Sequence, residues 1–259
     1  MSTEETYAET EAQLIVDIPR IGKADCAILT DGEHCIMIDC GEADDAEELL
    51  SKLALRGAEK LDLMILTHFD SDHIGSAAAI LASVPTERIL LPDHSPEADD
   101  LSDYRACMEA AAKSGAELCY VHDTEELTLG GIKLTVYGAG DAEYTKNREN
   151  NRSLLLLVEH AQNRLFFAGD AEKQRLEDWL AGETVQADFL KLPHHGSYNK
   201  ALPDLLASVG MRSAVITCSA KNPPDEKTLL ALGDCETYLT ADGDVTIISD
   251  RAGLSLRQG

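Results

Sequence analysis

Short apolar segments alternate with helical patterns along almost the whole chain, which restricts the fold to stacked layers of sheet and helix. Strands are predicted at 13–18, 26–30, 35–39, 61–66, 88–91, 117–121, 132–137, 153–159, 164–168, 189–192, 213–217, 237–239 and 244–249. Helices are predicted at 43–56, 74–83, 100–114, 171–180, 202–208 and 226–232. The strands fall into two groups with helices in both, so we predict an α/β fold of four layers, αββα. Two mixed sheets would pack face to face, with helices on both outer faces.

The chain has 259 residues, a length that is compatible with one or two domains. No low-complexity linker and no internal repeat divides it. We therefore expect one domain over residues 13–259. Residues 1–12 are polar and acidic, and we expect them to form a disordered tail.

The surface must be strongly acidic, because 47 aspartates and glutamates outnumber 22 lysines and arginines and leave a net charge of −25. We therefore expect no binding of duplex nucleic acid through general electrostatics, since contacts to phosphates normally carry that affinity. A small anionic or phosphodiester substrate would have to be bound at a local site, most simply through metal. Binding to a protein partner stays open.

Seven cysteines, at positions 26, 35, 40, 107, 119, 218 and 235, are scattered along the chain. None forms a C-x-x-C pair, so we expect reduced thiols in the core rather than a disulfide framework. No stretch approaches about 20 consecutive apolar residues, which predicts that nothing spans a membrane. The acidic N-terminus is unlike a secretory signal. We expect a cytoplasmic protein.

Four side chains that can bind metal lie within six residues: His68, Asp70, Asp72 and His73. They directly follow the predicted strand 61–66, and sites in open α/β sheets usually lie at the carboxyl ends of strands. Imidazole nitrogen together with carboxylate oxygen suits zinc, manganese or iron. The alternative is a polar loop whose aspartates cap the next helix. The crowding of the four, flanked by Thr67 and Gly75, favours the metal site.

The run resembles the signature T-H-x-H-x-D-H-x-G of the metallo-β-lactamase superfamily, with Asp70 in place of the second histidine. The resulting pattern H-x-D-x-D-H resembles the soluble β-lactamase-like domain of ComEC-type competence proteins and their stand-alone relatives. Three further stretches agree: 150–153 (Asn-Asn-Arg-Ser), 168–170 (Ala-Gly-Asp) and 190–197 (Leu-Lys-Leu-Pro-His-His-Gly-Ser). Weaker matches are Gly22-x-x-Asp25, Ile38-Asp39-Cys40-Gly41 and Asp242-Gly243.

The resemblance implies a pair of divalent metal ions, zinc or manganese, held by side chains from these motifs: His68, Asp70, Asp72, His73, Asn150, Asp170 and His194. Asp170 would bridge the ions. We favour His194 as the ligand and His195 as a residue behind the ligands or facing the substrate, although the sequence leaves their order open. Asn150 is the weakest member, because an amide is a poor ligand. Asp72 and His195 are the residues that we assign to catalysis.

The resemblance further implies hydrolysis by a hydroxide held between the bridged ions. The Asp70 carboxylate would shift the preference from zinc toward manganese. Our first expectation is a phosphodiesterase or nuclease-like enzyme acting on a small or single-stranded phosphodiester. Two alternatives stay open: hydrolysis of a lactone, thioester or other carboxyl substrate, and a non-catalytic metal-binding module that acts through a protein partner. The relatives often carry a His-Pro pair where this chain has Asn222-Pro223-Pro224-Asp225, a difference that bears on the substrate rather than on metal binding.

Overall fold

The structure is a computed structural model that describes residues 13–96 and 101–259, and within them the chain forms fifteen strands and eight α-helices. The strands are β1 (Leu14–Ile18), β2 (Ala27–Thr30), β3 (Cys35–Ile38), β4 (Leu61–Ile65), β5 (Thr86–Pro92), β6 (Glu117–Val121), β7 (Thr124–Leu129), β8 (Ile132–Tyr137), β9 (Leu155–His160), β10 (Asn163–Phe167), β11 (Phe189–Lys191), β12 (Ser213–Ile216), β13 (Glu236–Leu239), β14 (Val245–Asp250) and β15 (Gly253–Gln258). The helices are α1 (Ala46–Leu55), α2 (Ser71–Ile74), α3 (Ala77–Ser83), α4 (Ser102–Ser114), α5 (Arg148–Asn151), α6 (Lys173–Gly182), α7 (Leu202–Val209) and α8 (Glu226–Leu232). The tail predicted at 1–12 lies outside the described residues.

The strands form two sheets, and the chain completes most of one before it begins the other. The first sheet has the order β15–β14–β1–β2–β3–β4–β5–β6, and the second has the order β13–β12–β11–β10–β9–β8–β7. Strands β3 to β6 are parallel to one another, as are β10 to β13. The other neighbouring pairs among the described strands are antiparallel. Both sheets are therefore mixed, as predicted.

Alternating side chains along the strands build three apolar layers. In β9, Leu156 and Val158 point between the two sheets. Leu155 and Leu157 point the opposite way and pack with residues of α6, α7 and α8. The outer face of the first sheet is covered in the same way by α1, α3 and α4. Burial on both faces explains why such strands are almost entirely apolar, and the predicted αββα order of layers is confirmed.

Two strands at the sheet edges were missed by the apolar pattern. Both β7, with the sequence Thr-Glu-Glu-Leu-Thr-Leu, and β15 have only exposed or half-buried residues. They pair antiparallel with β8 and β14 through their backbones, and an edge strand needs few buried side chains. All of the strands that the sequence predicts are present, with ends shifted by at most two residues.

The helix predicted at 74–83 is divided in the structure into α2 and α3. The single turn of α2 begins after Asp70 and ends at Gly75. A Cβ atom at position 75 would overlap the backbone of Glu42 and Ala43, so glycine allows this turn to lie against the loop after β3. The Ser76 hydroxyl donates a hydrogen bond to the Glu42 carbonyl. The metal-binding run is thereby fixed to the neighbouring loop.

Two further expectations concern the whole chain. Across residues 13–96 and 101–259, no helix is both long enough and apolar enough to cross the hydrocarbon core of a bilayer. All seven cysteines lie in this part of the chain and carry free thiols. Five of them are buried as predicted, whereas Cys119 and Cys235 are only half-buried, because they lie on or beside the edge strands β6 and β13.

Candidate metal centre

The predicted metal-binding residues come together at one edge of the sandwich. The run from His68 to His73 follows β4, Asp170 follows β10, and His195 follows β11. Strands β10 and β11 are parallel, so the loops after them emerge at the same edge. A backbone hydrogen bond of 2.9 Å from Leu154 N to Thr67 O joins the second half of the chain to the first at this edge.

Five side chains form a buried cluster: His68, Asp72, His73, Asp170 and His195. The two oxygens of Asp170 face different histidines, with His73 Nε2 3.2 Å from Oδ1 and His195 Nε2 3.1 Å from Oδ2. Asp72 Oδ2 lies 3.3 Å from His195 Nε2. Four groups each bring three ligand atoms within 4.8 Å of one another, and two of them lie wholly inside the cluster: His68, His73 and Asp170, and Asp72, His73 and His195. The other two groups include Asp25. The cluster fits two adjoining metal positions in which His73 serves only one ion, because an imidazole nitrogen binds a single ion.

The atoms that face one another in the cluster are available as ligands. Among the described residues, four of them are buried without a hydrogen-bond partner: His68 Nε2, His73 Nε2, His195 Nε2 and Asp170 Oδ1. His73 Nε2 and His195 Nε2 lie 3.2 Å and 3.1 Å from Asp170 without a regular hydrogen bond, and His68 Nε2 has none either. A buried polar atom that lacks a hydrogen bond destabilises a fold by about 1–3 kcal/mol, so four in one place require an explanation. Two ligand atoms each about 2.1 Å from one ion are about 3.0–3.4 Å apart. The separations of 3.1–3.3 Å match this spacing, so the residues fit divalent metal ions.

A first network orients His68 and His73. Asp39, directly after β3, accepts hydrogen bonds from Thr67 N at 2.7 Å, from Thr67 Oγ1 at 2.8 Å and from His73 Nδ1 at 2.8 Å. The Thr67 hydroxyl donates its one proton to Asp39, so it accepts from His68 Nδ1 at 3.1 Å. Both imidazoles are thereby held with Nε2 toward the cluster. Metal-bound histidines are oriented in the same way, by a hydrogen bond from their other ring nitrogen to a neighbouring acceptor. These four residues are named the Thr67 network.

A second network orients His195 by the same device. Thr217, directly after β12, donates its hydroxyl proton to Asp25 and accepts from His195 Nδ1 at 3.1 Å. The Asp25 carboxylate also pairs with the ammonium of Lys191, and both side chains are buried. The Nε2 atom of His195 is left facing Asp72 and Asp170. Asp25, Lys191, Thr217 and His195 are named the Thr217 network.

The electrostatics of the cluster favour charged carboxylates. Burial disfavours protonation of His195, but Asp170 and Asp25 outweigh it and raise the pKa of the imidazole to about 10. Burial also disfavours protonation of His73, but the carboxylates of Asp170 and Asp39 outweigh it and raise the pKa of His73 well above its ordinary value. Burial would raise the pKa of Asp170, yet His73 and His195 hold it well below its usual range. An ionised Asp170 is what a metal ligand requires, and metal would displace protons from the imidazoles.

Two polar side chains lie on the solvent side of the cluster. Asp70 Oδ2 is 3.6 Å from His68 Nε2, and the Asp70 side chain is 45% exposed. Asp70 immediately precedes α2, but its side chain makes no capping hydrogen bond, so the capping alternative does not account for it. Lys23 Nζ lies 2.6 Å from Asp72 Oδ2, and the Lys23 side chain is 43% exposed. The exposed edges of the cluster are therefore formed by Asp70 beside His68 and by Lys23 beside Asp72.

The adjacent histidines His194 and His195 point to different places. The chain leaves β11 through a left-handed turn, with φ of 47° at the first histidine and 52° at the second. His195 is turned into the cluster, whereas His194 Nδ1 lies 3.2 Å from Glu172 Oε1, outside it. The structure thus places His195 and not His194 among the candidate ligands, the opposite of the order favoured from sequence. The left-handed backbone at both residues bends the chain sharply, so the two adjacent side chains point to different places.

The two asparagines before β9 also have different surroundings. Asn150 Nδ2 lies 3.4 Å from His194 Nε2, beside the cluster rather than in it. Asn151 is buried, accepts a hydrogen bond from Arg175 N at 2.8 Å and donates to the carbonyl of Lys146 at 2.9 Å. Asn151 therefore holds the turn together, which leaves Asn150 at the edge of the site.

Sequence reasoning missed the residues that orient the histidines. Asp25, Asp39 and Lys191 lie inside the matching motifs without an assigned role, and Thr217 lies in none of them. Lys191 did carry a signal, because a lysine within an apolar strand must find a buried partner. Thr217 carried none, since a threonine at the end of a strand is common.

Two curated relatives match most of this chain but only part of their own length. ComE operon protein 3 of Bacillus subtilis is 27% identical over 188 residues, which cover 71% of this chain and 24% of that protein. Recombination protein 2 of Haemophilus influenzae is 25% identical over 213 residues, which cover 80% of this chain and 24% of that protein. This chain thus spans about a quarter of each. Hydroxyacylglutathione hydrolase of Aeromonas salmonicida is 36% identical over 66 residues, 26% of this chain and 24% of that enzyme.

Solved structures share the fold at low sequence identity. The metallo-beta-lactamase fold protein YhfI from Bacillus subtilis superposes with a TM-score of 0.59 and 14% identity, covering 87% of this chain and 96% of that one. Zn(2+)-bound PqqB from Methylobacterium extorquens superposes with a TM-score of 0.54 and 12% identity, covering 83% of this chain and 84% of that one. These likenesses establish the fold alone.

The family described as "Metallo-beta-lactamase superfamily" matches residues 20–219. This span is more than three quarters of the 259 residues and contains the whole cluster with both orienting networks, from Asp25 to Thr217. The chain therefore belongs to the metallo-β-lactamase superfamily of metal-dependent hydrolases.

Proposed function

We propose that this chain is a metal-dependent phosphodiesterase that cleaves a small or single-stranded phosphodiester. The observation that carries the proposal is the buried cluster, whose unpartnered imidazole and carboxylate atoms converge at the strand ends. Similarity to a protein named Recombination protein 2 supports a phosphodiester, because recombination acts on nucleic acid. The net charge of −25 supports a small or single-stranded substrate over a duplex.

Five side chains would hold a pair of divalent ions: His68, Asp72, His73, Asp170 and His195. Asp170 is suited to be shared between the ions, since its oxygens face His73 and His195 separately. Asp70 would add a carboxylate from the solvent side and favour manganese over zinc. Such ions supply a Lewis acid for a phosphoryl oxygen and lower the pKa of water.

The contribution of the chain itself is orientation. The Thr67 and Thr217 networks occupy the Nδ1 atoms of three histidines, so each ring presents Nε2 in one fixed direction. His194, rather than His195, would lie outside the ligands and face the substrate. Its ring is 29% exposed beside Glu172, where it can contact the substrate.

The second candidate is a hydrolase of a carboxyl substrate such as a lactone or thioester. It is favoured by the match to hydroxyacylglutathione hydrolase, which covers 26% of this chain at 36% identity. The same cluster would serve either reaction, because a polarised carbonyl and a polarised phosphoryl group both accept attack by hydroxide.

Turnover of three substrates separates the candidates. Protein reconstituted with Mn²⁺ or Zn²⁺ is assayed on bis-p-nitrophenyl phosphate, on a lactone and on a thioester. We expect phosphodiester cleavage to dominate and to fall by more than about 100-fold in Asp170→Ala, since even outer partners of metal ligands contribute 10–100-fold. Asp204→Ala, which changes an exposed aspartate on α7, is the matched control and should behave as wild type.

Two results would overturn this assignment. Phosphodiester cleavage that persists unchanged in Asp170→Ala would have to arise elsewhere than in the cluster. Metal-dependent turnover confined to the lactone or the thioester would establish the second candidate instead.

A further inference from the structure

A half-exposed lysine contacts one of the candidate metal ligands. Lys23 lies between β1 and β2, its Nζ is 2.6 Å from Asp72 Oδ2, and 43% of its side chain is exposed. The backbone two residues further along is held in place, because Asp25 N donates to Asp72 O at 3.0 Å and Gly41 N donates to Asp25 O at 2.9 Å. The position of the main chain is therefore fixed while the ammonium can reach solvent.

Lys23 differs from the other lysine placed against a site carboxylate. Lys191 is only 5% exposed and is enclosed with Asp25, so it cannot reach a molecule that enters from solvent. Lys23 has a flexible four-carbon stem and stands at the solvent edge of Asp72, whose own side chain is 10% exposed. The buried lysine is suited to hold a ligand in place, and the exposed one is suited to meet a substrate.

Metal binding would release the Lys23 ammonium from its present partner. Asp72 is a candidate ligand, and a divalent ion on its carboxylate repels a neighbouring ammonium. An anionic substrate drawn to the ions would bring negative oxygens to the same place. In a chain of net charge −25, such an anion gains most from a cation placed at the site itself.

We propose that Lys23 binds an anionic oxygen of the substrate and thereby selects phosphodiesters over neutral esters. This inference rests on the proposed function, because it assigns to Lys23 the recognition of the phosphoryl charge. Contact with a charged oxygen predicts an effect on substrate binding rather than on the rate of the bound complex.

The test compares Lys23→Met with Lys23→Arg and with Lys60→Met. Lys60 is a matched control, since its side chain is 46% exposed and pairs with the buried Asp62 at the start of β4, the opposite end of the strand from the cluster. Binding of inorganic phosphate to the metal-loaded proteins is measured by calorimetry, at metal concentrations that give equal metal content. KM and kcat are measured on bis-p-nitrophenyl phosphate and on the neutral ester p-nitrophenyl acetate.

We expect Lys23→Met to weaken phosphate binding and to raise KM for the phosphodiester by about tenfold, the scale of a hydrogen bond to a charged group. The phosphodiester kcat should change less than about twofold, because it describes the complex after the anion is bound. KM and kcat for the neutral ester should also change less than about twofold, because that substrate is not an anion. Lys23→Arg should restore most of the affinity, and Lys60→Met should match wild type.

Unchanged phosphate affinity and KM in Lys23→Met at equal metal content would overturn the inference, as would wild-type protein that binds no phosphate. Equal losses on the neutral ester would also overturn it, since they would show a structural role. Phosphodiester cleavage by the wild type alone tests the proposed function, separately from the role of Lys23. If it cleaves no phosphodiester, the phosphate titration still decides whether Lys23 binds anions.

Discussion

Two networks orient the histidines of the metal centre, and they differ in charge. In the Thr67 network, Asp39 is satisfied by the backbone N and hydroxyl of Thr67 and by His73. In the Thr217 network, Asp25 pairs with the buried ammonium of Lys191 in addition to the threonine hydroxyl. Both networks therefore place a threonine between a carboxylate and an imidazole, but only the Thr217 network adds a buried lysine.

The networks also differ in which parts of the chain they join. Asp39 and Thr67 lie close to the ends of β3 and β4, which are neighbours in the first sheet. Asp25 precedes β2 of the first sheet, whereas Lys191 lies in β11 and Thr217 directly follows β12, both strands of the second sheet. The Thr217 network can therefore form only when the sheets pack together. It couples the placement of His195 to the assembly of the sandwich, and the Thr67 network does not.

The largest effect on stability is expected from Lys191→Met. The change removes the ammonium that pairs with the buried Asp25 carboxylate and leaves the His195 imidazole, 3.4 Å away, as a weaker partner, so it should lower the free energy of unfolding by about 3 kcal/mol. Urea denaturation of the metal-free protein measures this loss. The double variant Lys191→Met with Asp25→Asn removes both charges and should recover a large part of it. A loss below about 1 kcal/mol, typical of surface pairs, would contradict the role of this ion pair.

The two threonines should show a smaller effect that separates the networks. Thr217→Val removes the acceptor of His195 Nδ1, and Thr67→Val removes that of His68 Nδ1. Each change should weaken the binding of one metal equivalent by about 10–100-fold, because outer partners orient the ligand. Competition with a chelator measures the dissociation constants. Thr128→Val, at an exposed position of β7, is the control.

Two other outcomes of the threonine experiment are informative. If both variants lose all metal together, the two groups of ligands form one position rather than two. If neither variant changes metal affinity, the hydroxyls do not orient the histidines, and the comparison between the networks fails.

The smallest effect is expected from the cysteines that follow the two network aspartates. Cys26 and Cys40 come directly after Asp25 and Asp39 and belong to the apolar layer under α1. Burial raises the pKa of both thiols well above the ordinary value, so they stay neutral and are poor metal ligands. Cys40→Ala should lower stability by about 1 kcal/mol and leave metal content and turnover unchanged. Loss of turnover with metal content intact would give Cys40 a part in the chemistry.

The layers of the fold could be predicted because strands such as β9 are buried on both faces and therefore read as apolar runs. The edge strands β7 and β15 could not, since pairing through the backbone leaves their side chains unconstrained. Within the site, His68 and His73 were predictable because they are crowded in one loop after a strand. The order of His194 and His195 was not, because their spacing does not show a left-handed turn. Thr217 meets Asp25 across 192 positions of sequence, a contact that no local pattern reports.

The most direct test of the metal centre is the number of metal equivalents bound by wild type, His195→Ala and His194→Ala after reconstitution with Mn²⁺ or Zn²⁺. Elemental analysis of the dialysed proteins gives this number. We expect about two equivalents in wild type, as in two-metal hydrolases, and the loss of about one in His195→Ala. His194→Ala should match wild type, since His194 lies outside the cluster. A wild type that retains no metal, or a loss confined to His194→Ala, would contradict the assignment.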